Sequence, residues 1–180
     1  IGNPNSNHPA GLAAKAAIDA ASGSIAAVLG VQPDEIIYTS GASESNNTAI
    51  RGILHASRHI GRHVLTTPLE HPSVSGCLTA AIERGYEIEM LSVGRDGKID
   101  PEEVRELLRP DTVLVTLPAV DSELGIVQPV REVARVLGGA AHCCLHVDAT
   151  QAIGKLPFSF DGVDTASFAP HKFGGIVGSG

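Results

Sequence analysis

Tryptophan is absent from this 180-residue chain, and aromatic residues reach only 3 %. Stacking platforms for single-stranded nucleic acid are therefore scarce. A formal net charge of −7 works against a nucleic-acid or anionic-membrane surface. The three cysteines, Cys77, Cys143 and Cys144, include an adjacent pair and do not make a disulfide framework. No run reads as long and apolar enough to cross a membrane. The opening Ile1-Gly-Asn-Pro-Asn-Ser has no basic stretch leading into an apolar one, so no signal peptide is visible and the cytoplasm is the expected compartment. No Gly-x-x-x-x-Gly-Lys-Ser/Thr or Gly-x-Ser-x-Gly occurs, so a nucleotide P-loop is excluded and an esterase elbow unsupported. The glycine-rich close, residues 174–180, follows no long apolar strand and opens no helix, which a dinucleotide fingerprint requires.

What remains is a globular composition, 43 % hydrophobic and 18 % charged. Strand and helix patterns alternate. Residues 9–29 are alanine-rich with helical apolar spacing, closed by Gly30. Residues 35–39 read as a strand, 44–59 as a helix, 63–66 as a strand, and a helix ends near Arg84-Gly85. Residues 86–93 read as a strand before the Arg95-Asp-Gly turn. Asp100-Pro101 reads as an N-cap followed by proline at the first helical position. Residues 112–117 form an apolar strand of the buried parallel kind, 130–137 a helix, and 142–147 and 165–168 two further strands. The expected class is α/β, three layers around a mostly parallel sheet.

In such a sheet, ligands sit where strands end and helices begin. Ser40-Gly-Ala-Ser-Glu-Ser-Asn46 is one such junction, with small residues exposing backbone N–H groups at a helix start, a place for phosphate or an ordinary capped turn. Glu70-His71-Pro72 is a second, its histidine either an N-cap or a functional imidazole. Leu145-His-Val-Asp-Ala-Thr-Gln151 is a third, placing Asp148 at a strand end where a carboxylate needs a cation or donor. Lys172 follows in a His-Lys-Phe-Gly-Gly loop. A strand-end acid with a lysine in a glycine loop is the minimum kit for pyridoxal phosphate (PLP): the lysine forms a Schiff base and the acid keeps the pyridine nitrogen protonated. His142, Cys144 and His146 alternate onto one strand face, but their spacing matches no standard zinc pattern, so no metal is expected.

Six motifs then occur in the order and rough spacing of the cysteine desulfurases. They are Asn3-Pro-Asn-Ser-Asn-His8, Thr39-Ser-Gly-Ala-Ser-Glu-Ser-Asn-Asn47, Glu70-His-Pro72, Glu123-Leu-Gly-Ile-Val-Gln-Pro129, His146-Val-Asp-Ala-Thr-Gln151 and His171-Lys172. The chain thus resembles, over nearly its whole length, the large domain of these class V aminotransferase-type PLP enzymes of fold-type I. The resemblance implies that residues 1–180 are a PLP-binding large domain, a fragment lacking the N-terminal strand and the C-terminal small domain. It implies Lys172 as the Schiff-base lysine and His71 as the residue that stacks on the ring and moves protons. Asp148 would partner the pyridine nitrogen, and Gln151 would donate to the phenolic oxygen. Ala42 and Ser43 would hold the phosphate, supported by His171.

The implied reaction converts L-cysteine to L-alanine, passing sulfur through an enzyme persulfide to a sulfur-acceptor protein, with a homodimer as the working form. The destination of the sulfur is open among iron–sulfur clusters, thio-modified RNA or DNA, and thiolated cofactors. Alternatives are a selenocysteine lyase, another class V PLP enzyme, or a non-catalytic scaffold partner in sulfur transfer. Neither direct nucleic-acid binding nor a membrane partner is implied. The family's nucleophilic cysteine lies beyond Gly180, and none of the three cysteines here matches it. Two departures stand out. Asp121-Ser122 replaces two asparagines, losing a ring-side amide and adding an acid. Ala169-Pro170 replaces serine-glycine, losing a phosphate-binding hydroxyl and a backbone donor.

Overall fold

The structure, a computed structural model, describes residues 2–140 and 142–180. It divides into a first unit ending at Tyr38 and a second, Thr39–Gly180.

The first unit is built on α1, Pro9–Leu29. His8 caps it, its ring Nδ1 accepting from the Gly11 N–H, and Pro9 takes the first helical position, where no N–H is needed. Gly30 ends it in the left-handed region at φ 72°, its N–H returning to the Ala26 carbonyl. Contrary to the expectation from sequence, α1 is long and apolar enough to cross a membrane by length and composition, with a mean hydropathy of 1.4 over its best window. Alanine supplies that hydropathy in small increments, so no conspicuous run of large apolar residues announces it. The 35–39 strand is also corrected. Pro33–Glu35 form a 3₁₀ turn, the Glu35 carboxylate accepting from the Gln32 N–H, and 36–39 run on without a ladder. Proline at the first turn position nucleates the tight turn in place of a strand.

The second unit is a five-stranded sheet, all parallel, in the order β2-β1-β3-β4-β5. β1 is His63–Thr66, β2 Glu87–Met90, β3 Thr112–Pro118, β4 Cys144–Asp148 and β5 Thr165–Ser167. β1 and β3 are buried throughout, as central parallel strands are. β2 is shorter than the expected 86–93 because it is an edge strand, and Val93 leaves to form an antiparallel bridge with Ile99. β4 starts two residues later than expected and ends at Asp148, so His142 lies outside the ladder.

α2, Ala42–Ala56, and α3, Pro72–Ile82, pack on each other, and α2 lies along β3, β4 and β5. Ile50 and Leu54 of α2 meet Val74, Leu78 and Ala81 of α3 over Val64 and Leu114. α4, Pro101–Leu107, pairs with α5, Val130–Leu137, which rests on β4. Asp100 caps α4 by accepting from the Glu102 N–H, as its sequence signals. Alternation along β4 sends His146 and Asp148 toward α2, and Leu145 and Val147 to the other face. The α/β class and parallel sheet agree with the sequence.

Leu145 is fully buried in the sheet centre. Leu145→Ala should cost about 2–5 kcal/mol in chemical denaturation, whereas Ile82→Ala at the exposed end of α3 should stay within about 0.5 kcal/mol. Equal effects would contradict the assigned core.

Candidate active site

Because every strand runs the same way, the segments that leave the strand C-termini gather along one edge of the sheet. Asp148 is the last residue of β4 and only 6 % exposed. Two donors meet its carboxylate: the Thr150 N–H reaches Oδ1 at 3.0 Å and the Asn46 amide reaches Oδ2 at 2.8 Å. Asn46, in the second turn of α2, is fully buried. Its amide also donates to Ser73 Oγ at 2.9 Å, and its Oδ1 faces His146 Nε2 at 3.0 Å. Burial pushes the His146 imidazole down to about 4, outweighing the upward pull of Asp148. It is neutral, with Nδ1 2.8 Å from Thr165 Oγ1.

His71, exposed just after β1, is the N-cap of α3. Its Nδ1 accepts from the Ser73 N–H at 3.1 Å and lies 2.8 Å from Ser73 Oγ. Glu70 beside it points inward. Thr116 Oγ1 donates to Glu70 Oε1 at 2.8 Å, while Oε2 is buried without a partner among the described residues. Burial pushes the Glu70 carboxyl up to about 8, the Thr116 hydrogen bond opposing and the nearby Asp148 charge adding to the rise.

α2 opens at Gly41 without any side-chain cap, so the Ala42 and Ser43 N–H groups begin the helix unclaimed by one. Glu44 turns back to accept from the Ser40 N–H and hydroxyl, which hold its carboxyl below the usual range. Lys172 and His171 are exposed in the 3₁₀ turn Pro170–Phe173, which Gly174 closes at φ 89°. That turn approaches the segment after Asp148 closely: a Cβ on Gly154 would lie 2.6 Å from Phe173 Cβ. Gly154 therefore lets the Lys172 turn settle against the Asp148 segment. Gln151 is half-buried, its Oε1 accepting from Lys155 Nζ.

Asp148 is thus tied to His71 through Asn46 and Ser73, the start of α2 lies one turn before Asn46, and the Lys172 turn rests against the segment after Asp148. Asn46, Ser73 and Glu70 were given no part by the sequence, and His146 was weighed only as a metal ligand. The signal for two of them was available: Asn46 sits one helical turn after Ala42, and His146 shares a strand face with Asp148. Both departures are absorbed by the backbone. Asp121 Oδ2 accepts the Glu123 and Leu124 N–H groups of its own loop, and Pro170 begins the 3₁₀ turn. Among the described residues no three metal-binding side chains cluster. A separate groove of about 200 Å³, lined by Arg51, Arg58, Arg62, Arg84 and Tyr86, contains none of these residues.

Residues 1–180 match the Aminotransferase class-V family model. The chain is 39 % identical over 176 residues to "Cysteine desulfurase IscS" of Anaeromyxobacter sp. (strain K), covering 97 % of this chain and 43 % of that protein. Among solved structures, a "NIFS-LIKE PROTEIN" superposes with a TM-score of 0.93 at 37 % identity, covering 99 % of this chain and 50 % of that one. The structure described as "SspA in complex with cysteine" gives 0.92 at 35 % identity, covering 99 % and 52 %. The chain spans less than half the length of the curated relatives it matches.

A carboxyl with a raised folded-state pKa binds its proton more tightly when folded, so its stabilisation is complete below about pH 4.5 and is lost as pH rises through about 8. The stability of the wild type relative to Glu70→Gln should therefore fall between about pH 5 and pH 9, read from denaturation midpoints. A pH-independent difference would place an ordinary carboxylate at Glu70.

Proposed function

Since the chain belongs to the class V aminotransferase family, we propose that it forms the PLP-binding part of a cysteine desulfurase that converts L-cysteine to L-alanine. The observation that carries the reading is the buried Asp148 carboxylate on the sheet edge that Lys172, His71 and the uncapped start of α2 share. This donor set suits PLP: an acceptor-only group for a pyridinium N–H, free helix N–H groups for a phosphate dianion, and a primary amine for an aldehyde. When bound, PLP supplies an electron sink for carbanion chemistry.

The chain's residues take distinct parts. Lys172 would anchor the cofactor through its amine and serve as a movable base. Asp148 would accept the ring N–H and keep it protonated. Ala42 and Ser43 hold the phosphate at the helix start, with His171 beside the lysine in support. Gln151 Nε2, which has no partner among the described residues while Oε1 is engaged with Lys155, would donate to the phenolic oxygen. His71 would cover the ring and move protons. The thiolate that takes the sulfur comes from none of the cysteines here. Burial pushes the Cys143 thiol up to about 12 and raises that of Cys144, and Cys77 is packed in the α2–α3 core.

Residues 1–180 then make up most of one large domain, working as a homodimer in the cytoplasm and handing sulfur to an acceptor protein. Iron–sulfur cluster assembly is one destination. Neither nucleic acid nor a membrane is a partner in this reading. Lys15 and Asp19, ion-paired at 2.8 Å midway along α1, would be costly in lipid.

Full-length protein mixed with PLP should develop a visible absorbance band, and borohydride should fix the cofactor to Lys172. Both should vanish in Lys172→Ala. Cysteine should then yield alanine and persulfide sulfur in equal amounts. No band in a folded protein would overturn the cofactor reading, and transamination without sulfur release would overturn desulfuration.

A further inference from the structure

Asp148 and His71 are joined by hydrogen bonds whose donor directions follow one from another. A carboxylate offers only acceptors, so the Asn46 group 2.8 Å from Asp148 Oδ2 is the amide nitrogen. Asn46 Oδ1 then faces His146 Nε2, which must carry the proton of that neutral ring, leaving His146 Nδ1 to accept from the Thr165 hydroxyl. The second amide hydrogen of Asn46 goes to Ser73 Oγ at 2.9 Å. Ser73 Oγ turns its own proton to the group 2.8 Å away on its other side, His71 Nδ1, because that nitrogen already accepts from a backbone N–H and so carries no proton. The Ser73 backbone N–H reaches the same nitrogen at 3.1 Å. His71 Nδ1 therefore receives two donors and has no room for a proton of its own.

We propose that Ser73, oriented by Asn46, is a positioning residue that holds His71 in its Nε2–H tautomer and ties that tautomer to the Asp148 carboxylate. The inference rests on the reading of His71 as the residue that covers the cofactor, and it refines the part of His71 there from moving a proton to donating a hydrogen bond. In this tautomer His71 presents a donor at Nε2, which has no protein partner among the described residues, to an anionic group of the substrate: the carboxylate or thiolate of an amino acid. A proton at Nδ1 turns the Ser73 hydroxyl proton away and displaces the Ser73 backbone N–H, which loosens the cap of α3. His71 thus stays a neutral donor while α3 keeps its first turn. Ser73 acts through His71 and Asn46 acts through Ser73.

The test uses full-length protein labelled with ¹⁵N at histidine, without cofactor, at about pH 8.5, above the ordinary histidine range. The His71 resonances are assigned by their loss in His71→Gln. The wild type should show Nδ1 unprotonated and Nε2 protonated. Ser73→Ala, which removes the hydroxyl donor and leaves only the longer 3.1 Å backbone contact at Nδ1, should move the resonances toward averaged values from mixed tautomers, and Ser73→Thr should restore the wild-type pattern. With cofactor bound, Ser73→Ala should lower kcat roughly tenfold at unchanged KM, again restored by Ser73→Thr. A proton on Nδ1 in the wild type, or an unchanged pattern in Ser73→Ala, would overturn the proposal. The tautomer is read without cofactor, so failure to form a Lys172-dependent band would refute the desulfurase reading separately.

Discussion

A carboxylate at the end of a buried parallel strand has lost most of its water, and something in the protein has to replace it. At Asp148 the replacements are the Thr150 N–H and the Asn46 amide. The second of these fixes more than a charge. Asn46 belongs to α2, so satisfying Asp148 sets the second turn of that helix over the end of β4. It thereby carries the uncapped helix start to the same edge of the sheet. Asn46 reaches Ser73 as well, so α3 and its capping His71 are referenced to the same carboxylate. One desolvated acid thus positions the first turns of two helices.

Glu70 shows the other side of that constraint. It is a second carboxyl in the same buried region, but it receives a single hydroxyl donor from Thr116 and keeps one oxygen unpartnered among the described residues. Burial and the charge of Asp148 hold its proton on to about pH 8. The arrangement concentrates negative charge at the acid with two donors and leaves its neighbour neutral. His146, buried on the face of Asp148, is likewise kept neutral and serves as a hydrogen-bond donor. A single anion beneath the site matches the reading of Asp148 as the partner of one cationic ring nitrogen.

The features legible in the sequence are those set by local chemistry. Gly30 ends α1, Asp100-Pro101 starts α4, and the apolar run of β3 announces a central strand. Boundaries failed where a distant partner decides them. Residues 36–39 have strand-like composition, yet Thr39 exchanges one pair of backbone hydrogen bonds with Gly180 and the pairing goes no further. β2 stops early because an edge strand has one neighbour. The same division holds at the site. Asp148, His71 and Lys172 stand out as polar residues at strand ends, a pattern visible within a few positions. Asn46 and Asp148 are 102 positions apart, and the amide that connects them looks like any other in a capped helix until the fold closes. Glu70 was hidden because burial, not its neighbours in sequence, makes its proton unusual.

The role of Asp148 can be read directly from the nitrogen it is assigned to hold. In protein loaded with PLP labelled with ¹⁵N in the ring, the pyridine nitrogen should give a protonated-type NMR shift in the wild type. It should move to the unprotonated value in Asp148→Asn, which keeps the shape of the side chain and loses its charge. A ring nitrogen that is unprotonated in the wild type, or indifferent to the substitution, would contradict the account.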